Sequence, residues 1–449
     1  DVAAAKKLAE DVLTDKNHLK AVKPLPSRKM DREVPLIDCF VAPCKEGCPI
    51  HQDITTYLQL VNAGRYEEAM EVITEKNPLP FITGTICAHN CMNKCTRNFY
   101  EEPVHIRSMK LVAAENGYEA WLGKVNVPAV TKGKAAVVGG GPAGMAAAYF
   151  LRRGGMDVTI FEKQKSLGGV VRNVIPGFRI SDEAIDNDVK IVAAMGVEMV
   201  NGKEITSIDE LKKEYDYVVL AVGASDKGTL KLEAGDTMNA LDFLAQFKAT
   251  DGKLDLGKNV VVIGGGNTAM DTARAAKRNA GVEKVSLVYR RTRRFMPADE
   301  EELVMAMEDG VEFAELLAPV KLENKTLYCR KMVLGDIDES GRRGVVETDE
   351  VVTVPADTVI AAVGEKVPGA FYEECGIALD SRRRPQVNQD TLETSVKGVY
   401  VAGDGLYGPA TVVEGIRDGK MAAEAIVGKV LADDLFKLSD AGTIYGRKG

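Results

Sequence analysis

No stretch of the 449-residue chain approaches the 18 uninterrupted apolar residues of a membrane-spanning helix. There is no run of five Lys or Arg, and the net charge is −8. Those two facts argue against a nucleic acid or an anionic membrane as partner. Aromatic residues are scarce, at 6% with a single Trp. The opening Asp1-Val2-Ala3-Ala4-Ala5-Lys6-Lys7 has neither an initiator Met nor the apolar core of a signal peptide. It reads as a piece of a longer chain, and the expected setting is the cytoplasm. What is plentiful is glycine, 43 residues, which suits turns that bring backbone close to a ligand. The remaining composition is that of a soluble globular protein, long enough for two to four domains.

The cysteines are unevenly placed. Cys39, Cys44, Cys48, Cys87, Cys91 and Cys95 crowd the N-terminal region, whereas Cys329 and Cys375 stand alone. A secreted disulfide scaffold would be small and carry a signal sequence, so clustered thiolates here read as metal ligands.

Residues 1–128 carry helical patterning broken by loops. Residues 53–61 open on Asp53 as an N-cap candidate, and residues 66–76 form a second helix that stops before Pro78 and Pro80. Helical patterning resumes at 107–122, and Pro128 and Gly133 mark a linker. The pattern then becomes α/β. The apolar strand 135–138 runs into Gly139-Gly140-Gly141-Pro142-Ala143-Gly144 and a helix, and strand 158–162 ends in Glu162. The unit recurs at strand 260–263, loop Gly264-Gly265-Gly266-Asn267-Thr268-Ala269, a helix, and strand 285–290, which ends in Arg.

A lone glycine loop is weak evidence, but each copy here follows a strand, opens a helix and leads to a second strand. Gly139 allows the tight turn. Gly141 lets a pyrophosphate approach the N–H groups at the positive end of the helix, and Gly144 or Ala269 lets helix and strand pack closely. Glu162 suits the ribose hydroxyls of FAD. Arg290 and Arg291, with Arg293 and Arg294 nearby, favour the 2′-phosphate of NADPH over NADH. The blander reading of these arginines is a solvated turn. The strands 217–223 and 358–364, both ending in Ala-Val-Gly, are expected to close the sheet back on the flavin. Asp404, after Gly403, suits its ribityl and pyrophosphate region. The helix that follows Thr411 points its N-terminus toward negative charge on the flavin ring.

These stretches resemble the FAD/NADPH module of the glutamate synthase small subunit and of the N-terminal half of dihydropyrimidine dehydrogenase. The similarity runs through 138–144, 161–163, 167–170, 175–179, 266–271, 289–291, 296–298 and 402–404. Residues 35–39, 47–49 and 444–449 look most like the flavin/iron–sulfur region of selenate reductase subunits, which are longer chains. The resemblance implies a helical iron–sulfur domain (1–128) followed by an α/β flavoprotein with two dinucleotide-binding domains. The FAD domain would comprise 129–238 and 358–449, with an NADPH domain inserted at 239–357.

The FAD set implied is Gly139, Gly141, Pro142, Ala143, Gly144, Glu162, Lys163, Gly169, Val170, Arg179, Ile205, Gly223, Gly403, Asp404, Thr411 and Val412. The NADPH set is Gly264, Gly266, Asn267, Thr268, Ala269, Arg290, Arg291, Arg294, Ala362, Val363 and Gly364. No catalytic side chain is assigned, because hydride passes directly between nicotinamide and flavin.

By the same resemblance Cys39, Cys44 and Cys95 hold one [4Fe–4S] cluster, and Cys48, Cys87 and Cys91 the other. Each set is one ligand short. Leu36 stands where the family has a cysteine, and Lys110 where it has a Gln or Glu ligand. Asp38, His51, His89 and Asn90 are candidates for the gaps, and three-cysteine [3Fe–4S] clusters are an alternative. The function implied is an NADPH-dependent oxidoreductase module that passes electrons through FAD and the clusters to a partner domain or subunit. Competing readings are a non-catalytic wiring subunit, a flavin monooxygenase, and a disulfide reductase using Cys39 and Cys44. The last is weakened because that pair precedes the glycine loop.

Overall fold

The computed structural model describes residues 41–337 and 343–428. Leu36, Asp38, Cys39 and the 444–449 segment lie outside the described residues. The described chain divides into two compact units. One comprises 41–173, 177–226 and 365–428. The other comprises 174–176, 227–337 and 343–364.

The first unit begins with short helices, Pro43–Gly47, Ile54–Asn62, Tyr66–Thr74, Pro80–Ile86 and Asn90–Asn93, followed by the long helix Ile106–Leu122. Ile54–Asn62 buries Ile54, Tyr57, Leu60 and Val61, the one-face spacing of an amphipathic helix. Asp53 does occupy its N-cap. Its carboxylate, however, accepts from the Thr56 hydroxyl at 2.7 Å rather than from a backbone N–H. Pro80 starts a helix instead of merely ending one, because its fixed φ suits the first turn and its missing N–H is not needed there. Gly117 lets Ile106–Leu122 approach helix Tyr66–Thr74 so closely that a Cβ would collide with the Tyr66 carbonyl.

The rest of this unit is a five-stranded parallel sheet in the order Val399–Val401, Tyr217–Leu220, Lys134–Val138, Asp157–Glu162, Glu198–Asn201. Its two central strands are buried after their first residue, as expected of a parallel sheet covered on both faces. Helix Val412–Val427 packs on helix Pro142–Arg153, and a Cβ at Gly419 would collide with the Ala143 carbonyl.

The second unit repeats the plan. Its parallel sheet runs Met238–Asn239, Thr358–Ala361, Asn259–Ile263, Lys284–Tyr289, Glu312–Glu315. It also carries an antiparallel sheet, Leu317–Glu323, Thr326–Ile337 and Arg343–Pro355, that glycine-loop reasoning does not reveal.

One expectation is corrected. Strand Thr358–Ala361 does not return to the first sheet. It pairs in register with Asn259–Ile263, and Met238–Asn239 pairs on its other side, so the second unit runs from 227 to 364 rather than from 239 to 357. The two Ala-Val-Gly strands are alike because they fill equivalent places, each beside the glycine-loop strand of its own sheet.

Candidate functional site

Each glycine loop is shaped by the neighbouring Ala-Val-Gly strand. Gly139 has φ +104° and lies against the Ala221 carbonyl, where a Cβ would collide. Gly264 has φ +152°, and a Cβ there would stand 2.5 Å from the Ala362 carbonyl oxygen. Gly144 is pressed onto the Gly139 carbonyl, and Ala269 is fully buried at the matching place. The next positions are open. A Cβ at Gly141 would meet nothing nearer than the Gly169 Cα at 3.8 Å, and one at Gly266 nothing within 4 Å. Both are the N-caps of their helices, Pro142–Arg153 and Asn267–Arg278, without a side-chain cap. Each loop therefore leaves free space beside the N–H groups and positive dipole of a helix, which fits a pyrophosphate.

Glu162 is buried at the end of its strand. Its carboxylate accepts the Gly140 N–H at 2.7 Å and the Gln164 N–H at 2.7 Å. These bonds fix its orientation and leave lone pairs for ribose hydroxyls. Gly169 (φ +53°) and half-exposed Val170 begin the short helix facing Gly141, whereas Lys163 points outward toward Glu204. Arg179 lies in the loop before helix Asp182–Ala194, and Ile205 packs at the margin of the sheet core. Gly223 has φ +71° in open space, and Gly403 has φ +73° against Ala143.

Burial pushes Asp404 up to about 7, opposed by the Ala410 N–H that it accepts and reinforced by Asp418, Glu414 and Glu365. Thr411 caps helix Val412–Val427 in a reciprocal capping box with Glu414.

In the second unit, the Asn267 side-chain oxygen accepts the Asp299 N–H at 2.9 Å, and Thr268 follows in the first turn. The arginines separate by role. Arg290 is exposed just past its strand. Arg291 spends its Nε on the Arg343 carbonyl at 3.0 Å, tying down the antiparallel sheet, and Arg293 pairs with Glu300. Arg294 stacks over Phe295. Val363 is 42% exposed, and Gly364 has φ +97° with nothing within 4 Å.

None of the seven described cysteines is in a disulfide. Cys44 has Cys95 and Cys48 as electrostatic neighbours, and Cys91 has Cys87 and Cys48. Among the described residues no three His, Cys, Asp or Glu side chains converge at single-ion distance. A cluster does not require that, since each thiolate holds a different iron. Burial raises the Cys44 thiol and pushes Cys91 up to about 12, with Lys110 pulling Cys91 back down. Metal loading must displace those protons.

Lys110 is buried on Ile106–Leu122, with Cys91 and Asp188 as its electrostatic neighbours. His51 is exposed beside Glu46. His89 keeps its Nδ1 near the Cys87 carbonyl and the Arg107 guanidinium, and Asn90 opens helix Asn90–Asn93. Both histidines have left-handed backbone, φ 49° and 40°. Sheer residue type does not reveal Asp188. It is fully buried on helix Asp182–Ala194 and accepts the N–H groups of Phe81 and Ile82. Its signal is an acid at the core spacing of Ile185, Ile191 and Val192.

The architecture is that of a two-dinucleotide-binding flavoprotein reductase preceded by a helical iron–sulfur domain. Residues 133–419 match the pyridine nucleotide-disulphide oxidoreductase family, and residues 29–120 match the 4Fe-4S cluster domain II of dihydropyrimidine dehydrogenase. The chain belongs to that oxidoreductase family, with FAD, a pyridine nucleotide and 4Fe-4S clusters as its cofactors.

YgfK of Escherichia coli (strain K12), named as an oxidoreductase, is 42% identical over 100% of this chain and 44% of its own length. The NADPH-Fe(3+) oxidoreductase subunit beta of Geobacter sulfurreducens is 35% identical over 87% of this chain and 64% of that one. The glutamate synthase [NADPH] small chain of Azospirillum brasilense is 34% identical over 86% of each. The chain thus spans less than half the length of YgfK. Among solved structures, Mycobacterium tuberculosis FprA in complex with NADPH superposes with a TM-score of 0.55 at 20% identity, covering 71% of this chain and 87% of that one. That likeness establishes the fold.

Proposed function

We propose that this chain is an electron-entry module, taking reducing equivalents from NADPH and delivering them through two 4Fe-4S clusters to a further domain or partner subunit. Bound FAD supplies the junction, since it accepts two electrons as hydride and releases them singly.

The residues supporting this divide by unit. In the first, the loop 139–144 holds the pyrophosphate, Glu162 orients the ribose, and Asp404 with the N-terminus of helix Val412–Val427 faces the flavin. In the second, the loop 264–269 and Arg290 hold NADPH. Cys44 and Cys95, with Cys39, hold one cluster, and Cys48, Cys87 and Cys91 the other.

The observation that carries the reading is that the cysteine helices and the first glycine loop belong to one compact unit. They are joined by buried bonds: Asp188 to Phe81 and Ile82, and the Tyr149 hydroxyl to the Thr74 carbonyl at 3.2 Å. A fixed spacing between flavin and clusters is what single-electron transfer needs. Relatives named as a subunit beta and a small chain support a partner. Among the described residues no helix is long and apolar enough to cross a membrane. The setting we favour is the cytoplasm.

The test is the absorption spectrum and iron content of anaerobically purified protein. Flavin bleaching by NADPH, with about eight irons per chain, is expected for two four-iron clusters. A colourless, iron-free preparation that NADPH leaves unchanged would favour a wiring subunit instead.

A further inference from the structure

Tyr57 lies on the buried face of helix Ile54–Asn62 and is 0% exposed. Its hydroxyl has no hydrogen-bond partner among the described residues. A buried, unsatisfied hydroxyl is costly, so its presence calls for an acceptor. The surroundings identify one. The electrostatic neighbours of this hydroxyl are the thiols of Cys91, Cys48 and Cys87, with Cys44 the weakest of the four. The first three are the set assigned above to a single cluster. Three buried polar groups of the same helical layer, Asn77, Gln52 and Thr74, are already engaged. Asn77 donates to Thr83 at 2.7 Å, Gln52 donates to the Ile73 carbonyl at 3.2 Å, and Thr74 donates to the Met70 carbonyl at 2.8 Å.

We propose that the Tyr57 hydroxyl donates a hydrogen bond to a sulfur of the cluster held by Cys48, Cys87 and Cys91, and thereby sets that cluster's potential apart from its neighbour's. The proposal rests on the electron-entry reading. Tyr57 is a positioning residue: it neither ligates iron nor exchanges electrons. Reduction adds one negative charge to the cluster, and a donor aimed at a sulfur stabilises that charge, raising the potential. Burial keeps the hydroxyl protonated and free of water competition, so the bond acts in a low-dielectric site. The cluster with the higher potential is the one on which an electron rests between turnovers.

Tyr57→Phe removes one oxygen and keeps the ring, so packing in the helical layer should survive. Parent and variant full-length protein, prepared anaerobically, are compared by iron content, flavin absorbance and EPR-monitored potentiometric titration. Equal iron and flavin are expected, with one midpoint moved to lower potential and the other unmoved. As a second measurement, ENDOR on the reduced parent in H2O and D2O should show an exchangeable proton coupled to that cluster and missing from Tyr57→Phe. Equal iron with unchanged midpoints and an unchanged exchangeable proton would overturn the role of Tyr57 while leaving the electron-entry reading intact. Absence of iron from the parent would overturn both.

Discussion

Asp188 accepts the backbone N–H of Ile82 at 2.7 Å, and its other carboxylate oxygen takes the Phe81 N–H at 3.0 Å. An acid from a helix on the dinucleotide-binding sheet thus closes the first turn of the helix that leads into Cys87. Burial raises the Asp188 pKa well above the usual carboxylate range, opposed by these two N–H groups and by Lys110. Asp188→Ala should orphan both donors, at about 1–3 kcal/mol each. Hydrogen exchange at Phe81 and Ile82 should quicken, and iron should be lost more readily in air. Unchanged exchange at those two amides would contradict this link.

Gly141→Val should place a side chain in the open space beside the N-terminus of helix Pro142–Arg153. FAD should be lost while the cysteine helices stay folded. Retention of full flavin absorbance would mean the loop does not hold the pyrophosphate.

Arg290 is the exposed arginine at the strand end, whereas Arg291 is committed to the Arg343 carbonyl. Arg290→Ala should weaken NADPH by about 1.5–3 kcal/mol and leave NADH nearly unaffected. Arg291→Ala should instead lower stability. Stopped-flow flavin reduction with each nucleotide checks the first claim, and thermal unfolding checks the second. Equal rates with NADH and NADPH in the parent would contradict the assignment.

Asp357 joins the end of strand Arg343–Pro355 to the start of Asn259–Ile263. Its carboxylate is held down to about 2, chiefly by the Asn259 N–H and then by Lys325. A carboxylate lowered on folding contributes stability that is present above its unfolded value and is lost as pH falls through the folded one. Asp357→Asn should therefore lower Tm at pH 7, and the gap between parent and variant should close between about pH 4 and pH 2. A gap independent of pH would show that charge is not the cause.

Much of this was legible in the sequence wherever a local rule operates. Gly139 and Gly144 announce a tight turn and a close approach because backbone geometry acts over a few residues. The short apolar segments 135–138 and 260–263 announce a covered parallel sheet. Strand Thr358–Ala361 was not legible, because its likeness to Tyr217–Leu220 records an equivalent place beside a glycine loop, and sequence alone does not say which sheet. The roles of the four arginines were equally hidden, since Arg291 and Arg293 are separated from Arg290 only by partners, Arg343 and Glu300, distant or downstream in the chain. Asp188 and Tyr57 sit at ordinary core spacings on their helices. What distinguishes them is the neighbour each meets across the fold.

The order in which electrons move tests electron entry at the flavin most directly. Anaerobic protein is mixed with one equivalent of NADPH and freeze-quenched for EPR, with flavin absorbance followed in parallel. Flavin bleaching should come first, with reduced iron–sulfur signals growing afterwards as the flavin colour returns. Flavin that bleaches and stays bleached beside oxidised clusters, in protein containing its iron, would contradict the claim that this chain carries electrons from NADPH to its clusters.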